Sequence, residues 1–156
     1  MNPGALLAID PGTSCGWALR SLDGTYVSGT WDLKPRRQEG GGMRFLRFRR
    51  FFLEAVSSGG VVSVCYEEVR RHLGVDAAHV YGGLVAQLTS ICEERGLPYC
   101  AIHYAIAKRV ATGKGNADKP AMRAAAEARW PGYRFVDDNE VDARWLAEAA
   151  VLEVLP

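Results

Sequence analysis

The chain has 156 residues, 48% of them apolar and 24% charged, with a formal net charge of +1. That length buries one substantial core and leaves little for a second, so residues 1–156 are expected to form a single domain. No apolar run approaches the roughly 20 residues of a membrane helix, the N-terminus lacks a basic and apolar leader, and Cys15, Cys65, Cys92 and Cys100 form no C-x-x-C pair. A cytoplasmic protein with reduced thiols, no membrane partner and no zinc or disulfide framework is expected.

The first predicted element is a strand over Ala5–Ile9, ended by the Pro11-Gly12 turn signal. Gly16–Arg20 and Thr25–Leu33 read as two more strands, and the S-L-D-G between them supplies hairpin-turn residues. Residues 34–42 are basic and glycine-rich and read as a loop. Between Lys34 and Arg50 seven basic residues face only Glu39, a basic patch suited to a polyanion. A helix is predicted from Met43 to about Val56, because Phe45, Phe48, Phe52 and Val56 recur at helical spacing.

Val61–Tyr66 is a valine-rich run typical of a buried strand. A loose segment with Arg70, Arg71 and His72 follows, then a helix from Asp76 to Arg95 stopped by Gly96. Val80, Leu84, Leu88 and Ile91 mark its core side, while Ala78, Gly82 and Ala86 form a separate stripe of small residues. Leu97–His103 reads as a strand, Asn116 as the cap of a helix from Ala117 to about Arg129, and a last helix begins near Asn139. The order indicates an α/β fold: a five-stranded mixed sheet, with an antiparallel N-terminal meander and then parallel strands, flanked by helices.

Three carboxylates stand where acids are costly to desolvate. Asp10 and Glu67 each close an apolar run, and Asp142 shares a helical stripe with Leu146, Ala149 and Ala150. If the first and fourth strands are parallel neighbours, the ends carrying Asp10 and Glu67 lie roughly 5 Å apart. The final helix would bring Asp142 to them, with Asn139 and Asp138 as alternative fourth ligands. Such an oxygen-rich site suits a hard divalent cation, Mg2+ or Mn2+.

These residues resemble the RuvC-type Holliday junction resolvases of the ribonuclease-H-like superfamily, especially their phage-encoded and RuvC-like members. The likeness rests on I-D-P-G-T with Gly16 and Trp17, Y-E-E-V, A-K-R-V-A-T-G-K-G-N-A-D-K and D-D-N-E-V-D-A, spanning about Ala5 to Ala150. It implies a ribonuclease-H-like nuclease domain acting in DNA recombination and repair in a bacterial or phage-infected cell. Asp10, Glu67 and Asp142 would be metal-binding catalytic acids holding two ions, with Lys108 and Lys119 near the scissile phosphate. Many relatives carry a fourth acid where this chain has Asn139. The amide oxygen of Asn139 can still ligate, and Asp138 or Glu140 can supply the missing charge.

The implied activity is that of a crossover junction endonuclease, hydrolysing phosphodiesters in opposed strands of four-way junctions and other branched DNA. The two-fold symmetry of a junction favours a homodimer, and the Ala78, Gly82, Ala86 stripe is a candidate for part of its interface. Lys114 and Asn116, in a loop before a helix, and Arg44, Arg47, Arg70 and Arg71 are candidate DNA contacts. The T-G-K-G segment lacks the spacing of a nucleotide-binding P-loop. Tyr81, Trp145 and the three histidines read as packing or surface residues. Competing readings are a ribonuclease H acting on hybrids, a non-catalytic branched-DNA-binding protein with a degenerate site, and an ATP-binding fold of the actin and sugar-kinase type, which length disfavours.

Overall fold

A computed structural model describes residues 4–154; the first three and last two positions of the expected domain lie outside the described residues. Five strands, β1 (Ala5–Asp10), β2 (Ser14–Arg20), β3 (Tyr26–Asp32), β4 (Val61–Glu68) and β5 (Tyr99–His103), form one sheet in the order β3-β2-β1-β4-β5. β1, β2 and β3 pair antiparallel, whereas β4 runs parallel to β1 and β5 parallel to β4. The mixed, five-stranded α/β sheet expected from the sequence is therefore the one observed.

Alternation along β1 divides the core in two. Leu7 and Ile9 face α1 (Gly42–Ser58) and α2 (Val75–Arg95), where they meet Phe48, Phe52, Leu84, Leu88 and Ile91, all fully buried. Truncating either phenylalanine to alanine costs about 3–5 kcal/mol in such settings. Leu6 and Ala8 point the other way, toward α3 (Tyr104–Thr112), α4 (Lys119–Arg129) and α5 (Asp138–Ala149). One π-helical turn, Ala150–Val154, extends α5.

Two local expectations need correction. Helix α3 is absent from the sequence prediction, because β5 runs into it without a turn signal. Its start is made by the imidazole of His103, whose Nδ1 accepts from the Ala105 N-H at 3.3 Å, so His103, which also packs on the Tyr104 ring with centroids 4.5 Å apart, has a capping role in addition. Helix α4 is capped by Asp118 and not by Asn116: the Asp118 carboxylate accepts from the Ala121 N-H at 2.9 Å, and Pro120 occupies the first turn where its missing N-H does no harm.

The deepest element is α5. Nine of its twelve residues, from Glu140 to Ala149 with Asp142 excepted, are buried, since it lies on β1 and β2 beneath α3 and α4. The stripe Glu140, Arg144, Glu148, spaced four apart, has the look of a solvated ion-pair ladder. The structure buries it against the β2-β3 edge, where it bonds to other partners: Ser28 donates to Glu140 at 2.7 Å and Tyr26 donates to Glu148 at 2.6 Å.

Candidate active site

The site is built by register. Ile9 pairs with Tyr66 across the parallel β1-β4 ladder, which makes Asp10 and Glu67 the next neighbours along it. Both lie on the face that carries Ala8 and Cys65, the face covered by α5. The two carboxyl groups come within hydrogen-bonding reach of each other, and Asp142 approaches both from the helix. The structure thus brings together the three acids singled out in the sequence.

Their electrostatics follow from crowding like charges in a partly dry place. Burial, reinforced by Glu67 and Asp142, pushes the Asp10 carboxyl well above its usual value, and Lys119 pulls it back. Burial and Glu67 likewise raise Asp142 to about 6, with Lys119 and Lys108 opposing and Asp138 adding to the rise. In the metal-free protein the Asp10 carboxyl therefore favours its neutral form, which relieves the repulsion from its acidic neighbours. Among the described residues no three His, Cys, Asp or Glu side chains are already closed into a metal-holding group. The donor set nevertheless fits a hard dication: every donor is an oxygen, and the acids hold more negative charge than their two lysines offset.

Lys108, one turn into α3, lies 4.9 Å from the Tyr104 ring. With Tyr104, Met122, Glu67 and Asp142 it lines a narrow cleft of about 40 Å³. Lys119 stands in the exposed first turn of α4. Of the two proposed fourth ligands, Asp138 is already held by Arg123, Nη1 to Oδ1 3.1 Å. Asn139 sits where the first turn of α5 presses on Gly16. Glu140 is not at the site: it is fully buried, accepting from Ser28, Tyr133 and the Val136 N-H. It cannot supply the charge that Asn139 lacks.

The other basic and polar candidates spread over two rims. Lys114 and Asn116 are exposed in the turn before α4. Arg71 is exposed, and Arg70 pairs with Glu68 at 3.1 Å. Arg47 ties down the basic loop by binding the Glu39 carboxylate and donating to the Lys34 carbonyl at 3.2 Å. Its hydrogen bond holds the Glu39 carboxyl down at about 2. Arg44 faces a groove beside the site, shared with Pro11, Gly12, Thr13, His72 and Tyr81. Its Nε is the one buried side-chain nitrogen or oxygen among the described residues that has no partner.

Two positioning residues escaped the sequence reading. Tyr81, read as packing, donates its hydroxyl to the Glu67 carbonyl at 2.8 Å and accepts from the Val69 N-H at 3.1 Å, so α2 holds the end of β4. Only an unpaired tyrosine on the core side of a helix hinted at this. Gly16, present in the motif, pairs directly with Asp10 and leaves room for the backbone of α5.

No protein-family model matches this chain, and no curated protein sequence does. Among solved structures it is similar to RuvC of T. thermophilus in complex with a Holliday junction substrate, with a TM-score of 0.76 at 21% identity, covering 94% of this chain and 92% of that one. A second structure of Thermus thermophilus RuvC gives 0.76 at 20% identity, with 94% and 93% covered. The yeast mitochondrial Holliday junction resolvase Ydc2 gives 0.55 at 11% identity, with 96% and 78% covered. The fold is that of the RuvC-type, ribonuclease-H-like resolvases.

Proposed function

We propose that this chain is a divalent-metal-dependent endonuclease that resolves four-way DNA junctions. The observation that carries the reading is the convergence of Asp10, Glu67 and Asp142, from two strand ends and a helix, on a fold shared with junction resolvases. Asp10, Glu67 and Asp142 would hold Mg2+ or Mn2+, two ions per site, with Asn139 or Asp138 completing the set. When bound, such ions polarise the scissile phosphate and acidify the attacking water.

The chain's own residues do the rest. Lys119 and Lys108 offset the acids and stand ready to neutralise charge that builds on the phosphate oxygens. Lys114, Asn116, Arg44, Arg70 and Arg71 border the site as contacts for the DNA backbone, and Arg47 contributes by fixing the basic loop. Cutting opposed strands calls for a two-fold dimer. The Ala78, Gly82, Ala86 stripe suits its interface: it lies on the outer side of α2, and a Cβ at Gly82 meets nothing within 4 Å.

The test is a cleavage panel of four-way junctions, linear duplexes and RNA-DNA hybrids with Mg2+, Mn2+ or a chelator. Metal-dependent, paired nicks in junctions, with Asp10→Asn binding junctions but leaving them whole, are the expected result. Equal rates on linear duplex would remove the resolvase reading, and preference for hybrids would replace it with a ribonuclease H. Asn139 favours one further reading, a non-catalytic junction binder, which predicts binding without cleavage by the unaltered protein.

A further inference from the structure

The tip of the β2-β3 hairpin and the segment joining α4 to α5 enclose an open cleft of about 380 Å³. It lies at the end of the sheet where β1 begins, opposite the end that carries Asp10 and Glu67. Its wall includes Thr25, Tyr26, Trp130 and Tyr133, and two arginines, Arg129 and Arg144, reach into it. The volume falls within the range of small-molecule sites.

Arg144 is the unusual member. Only 3% exposed, its guanidinium stacks 3.8 Å from the centre of the Tyr133 ring and lies 5.0 and 5.2 Å from Tyr26 and Trp130. Its Nε donates to Ser28 at 2.7 Å, and its other two nitrogens have no hydrogen bond or ion pair among the described residues. They are not sealed off, since Arg44 Nε alone is both buried and unpartnered there. A buried cation whose free donors end in a cavity is poised for an anion from outside.

The nearby carboxylates do not fill that role. Glu140 accepts from Ser28, Tyr133 and Val136, and Glu148 from Tyr26, Arg20 and Arg129. Arg129 is half exposed and lies 5.6 Å from the Trp130 ring. Aromatic faces beside two forked guanidinium groups match a flat heterocycle that carries a phosphate.

We propose that this cleft is a second binding site that takes one unpaired nucleotide, its base stacked on Trp130 and its phosphate on Arg129 and Arg144. The nucleotide is either free or part of a single strand. The site is separate from the carboxylates, and binding is read without cleavage, so it succeeds or fails independently of the nuclease reading.

The experiment is titration of the full chain in a chelating buffer with AMP, a thymidine tetranucleotide, adenosine or inorganic phosphate, followed by calorimetry and by the indole N-H resonance of Trp130. Saturable AMP binding at ~1 mM or tighter is expected, about tenfold weaker for phosphate or adenosine alone. Binding of the tetranucleotide as well assigns the site to a strand, and its failure to bind assigns it to the free nucleotide. Arg129→Glu, at an exposed position, should weaken AMP at least about tenfold with the folded spectrum intact. Arg144→Lys keeps the charge and should weaken it also. The proposal is overturned if phosphate binds as tightly as AMP, if Trp130 does not respond, or if both variants bind AMP like the parent.

Discussion

A Cβ placed on Gly16 would lie 2.0 Å from the carbonyl oxygen of Asn139. Gly16 also pairs with Asp10 in the β1-β2 ladder. One missing side chain therefore sets how closely the first turn of α5 approaches the strand that carries Asp10. Gly16→Ala must push the helix outward, because the atoms it meets are backbone. We expect a stability loss of about 1–3 kcal/mol, read by chemical denaturation. Junction cleavage should fall further than that loss explains, because Asp142 moves with the helix.

Asp142→Asn should stabilise the metal-free protein while abolishing cleavage. Asp142 rises from an ordinary value of 3.8 to about 6 in the fold. The folded state therefore binds the proton more tightly than the unfolded chain does. Stability from this group is fully present below pH 3.8 and is lost as pH rises through about 6. At pH 7.5 the amide escapes that loss, a gain of roughly 3 kcal/mol. Thermal melts across pH, in a chelating buffer, should show the two proteins converging in acid and separating near neutrality. A parent more stable than the variant at pH 7.5 would contradict this.

Magnesium or manganese should raise the melting temperature of the parent near neutral pH. Saturation at about 100 times the dissociation constant corresponds to about 2.7 kcal/mol. The effect should shrink below pH 6, where Asp142 takes up its proton in the metal-free fold, and should largely vanish in Asp10→Asn. An unchanged melting temperature in the parent at any ion concentration counts against a metal site.

Tyr81→Phe removes the hydroxyl that bridges the Glu67 carbonyl and the Val69 N-H. A loss of about 1 kcal/mol in stability is expected, with turnover reduced about threefold to tenfold at unchanged junction affinity. Affinity falling while turnover holds would assign Tyr81 to DNA binding instead.

Lys119→Ala should slow cleavage and move its pH dependence upward. Lys119 opposes the rise of both Asp10 and Asp142, so without it the acids need a higher pH to ionise. A rate profile displaced toward alkaline pH checks this, and a uniform drop across pH would point to a DNA contact alone.

The sheet and the three acids were legible because they depend on local signals: apolar runs ended by a carboxylate, and a helical stripe carrying Asp142. What resisted reading was long-range. Glu140, Arg144 and Glu148 have the spacing of a solvent-facing ladder, and only the packing of α5 on β2 and β3 shows them buried and bonded to Ser28, Tyr26 and Tyr133. Helix α3 was hidden because its cap is a histidine at the end of a strand, a residue with little capping preference. The stripe of small residues suggested close helix packing, yet within the chain that role falls to Gly83, where a Cβ would come within 2.4 Å of the Phe45 ring.

The burial of α5 has a consequence for when the protein can act. Asp142 rides on a helix walled in by the sheet and by α3 and α4, so its place beside Asp10 depends on α5 being packed against β1 and β2. Exchange of its backbone amides should need opening of the whole molecule, not fraying of one end. Under the nuclease reading, a copy in which α5 has come away from the sheet lacks the complete set of acids.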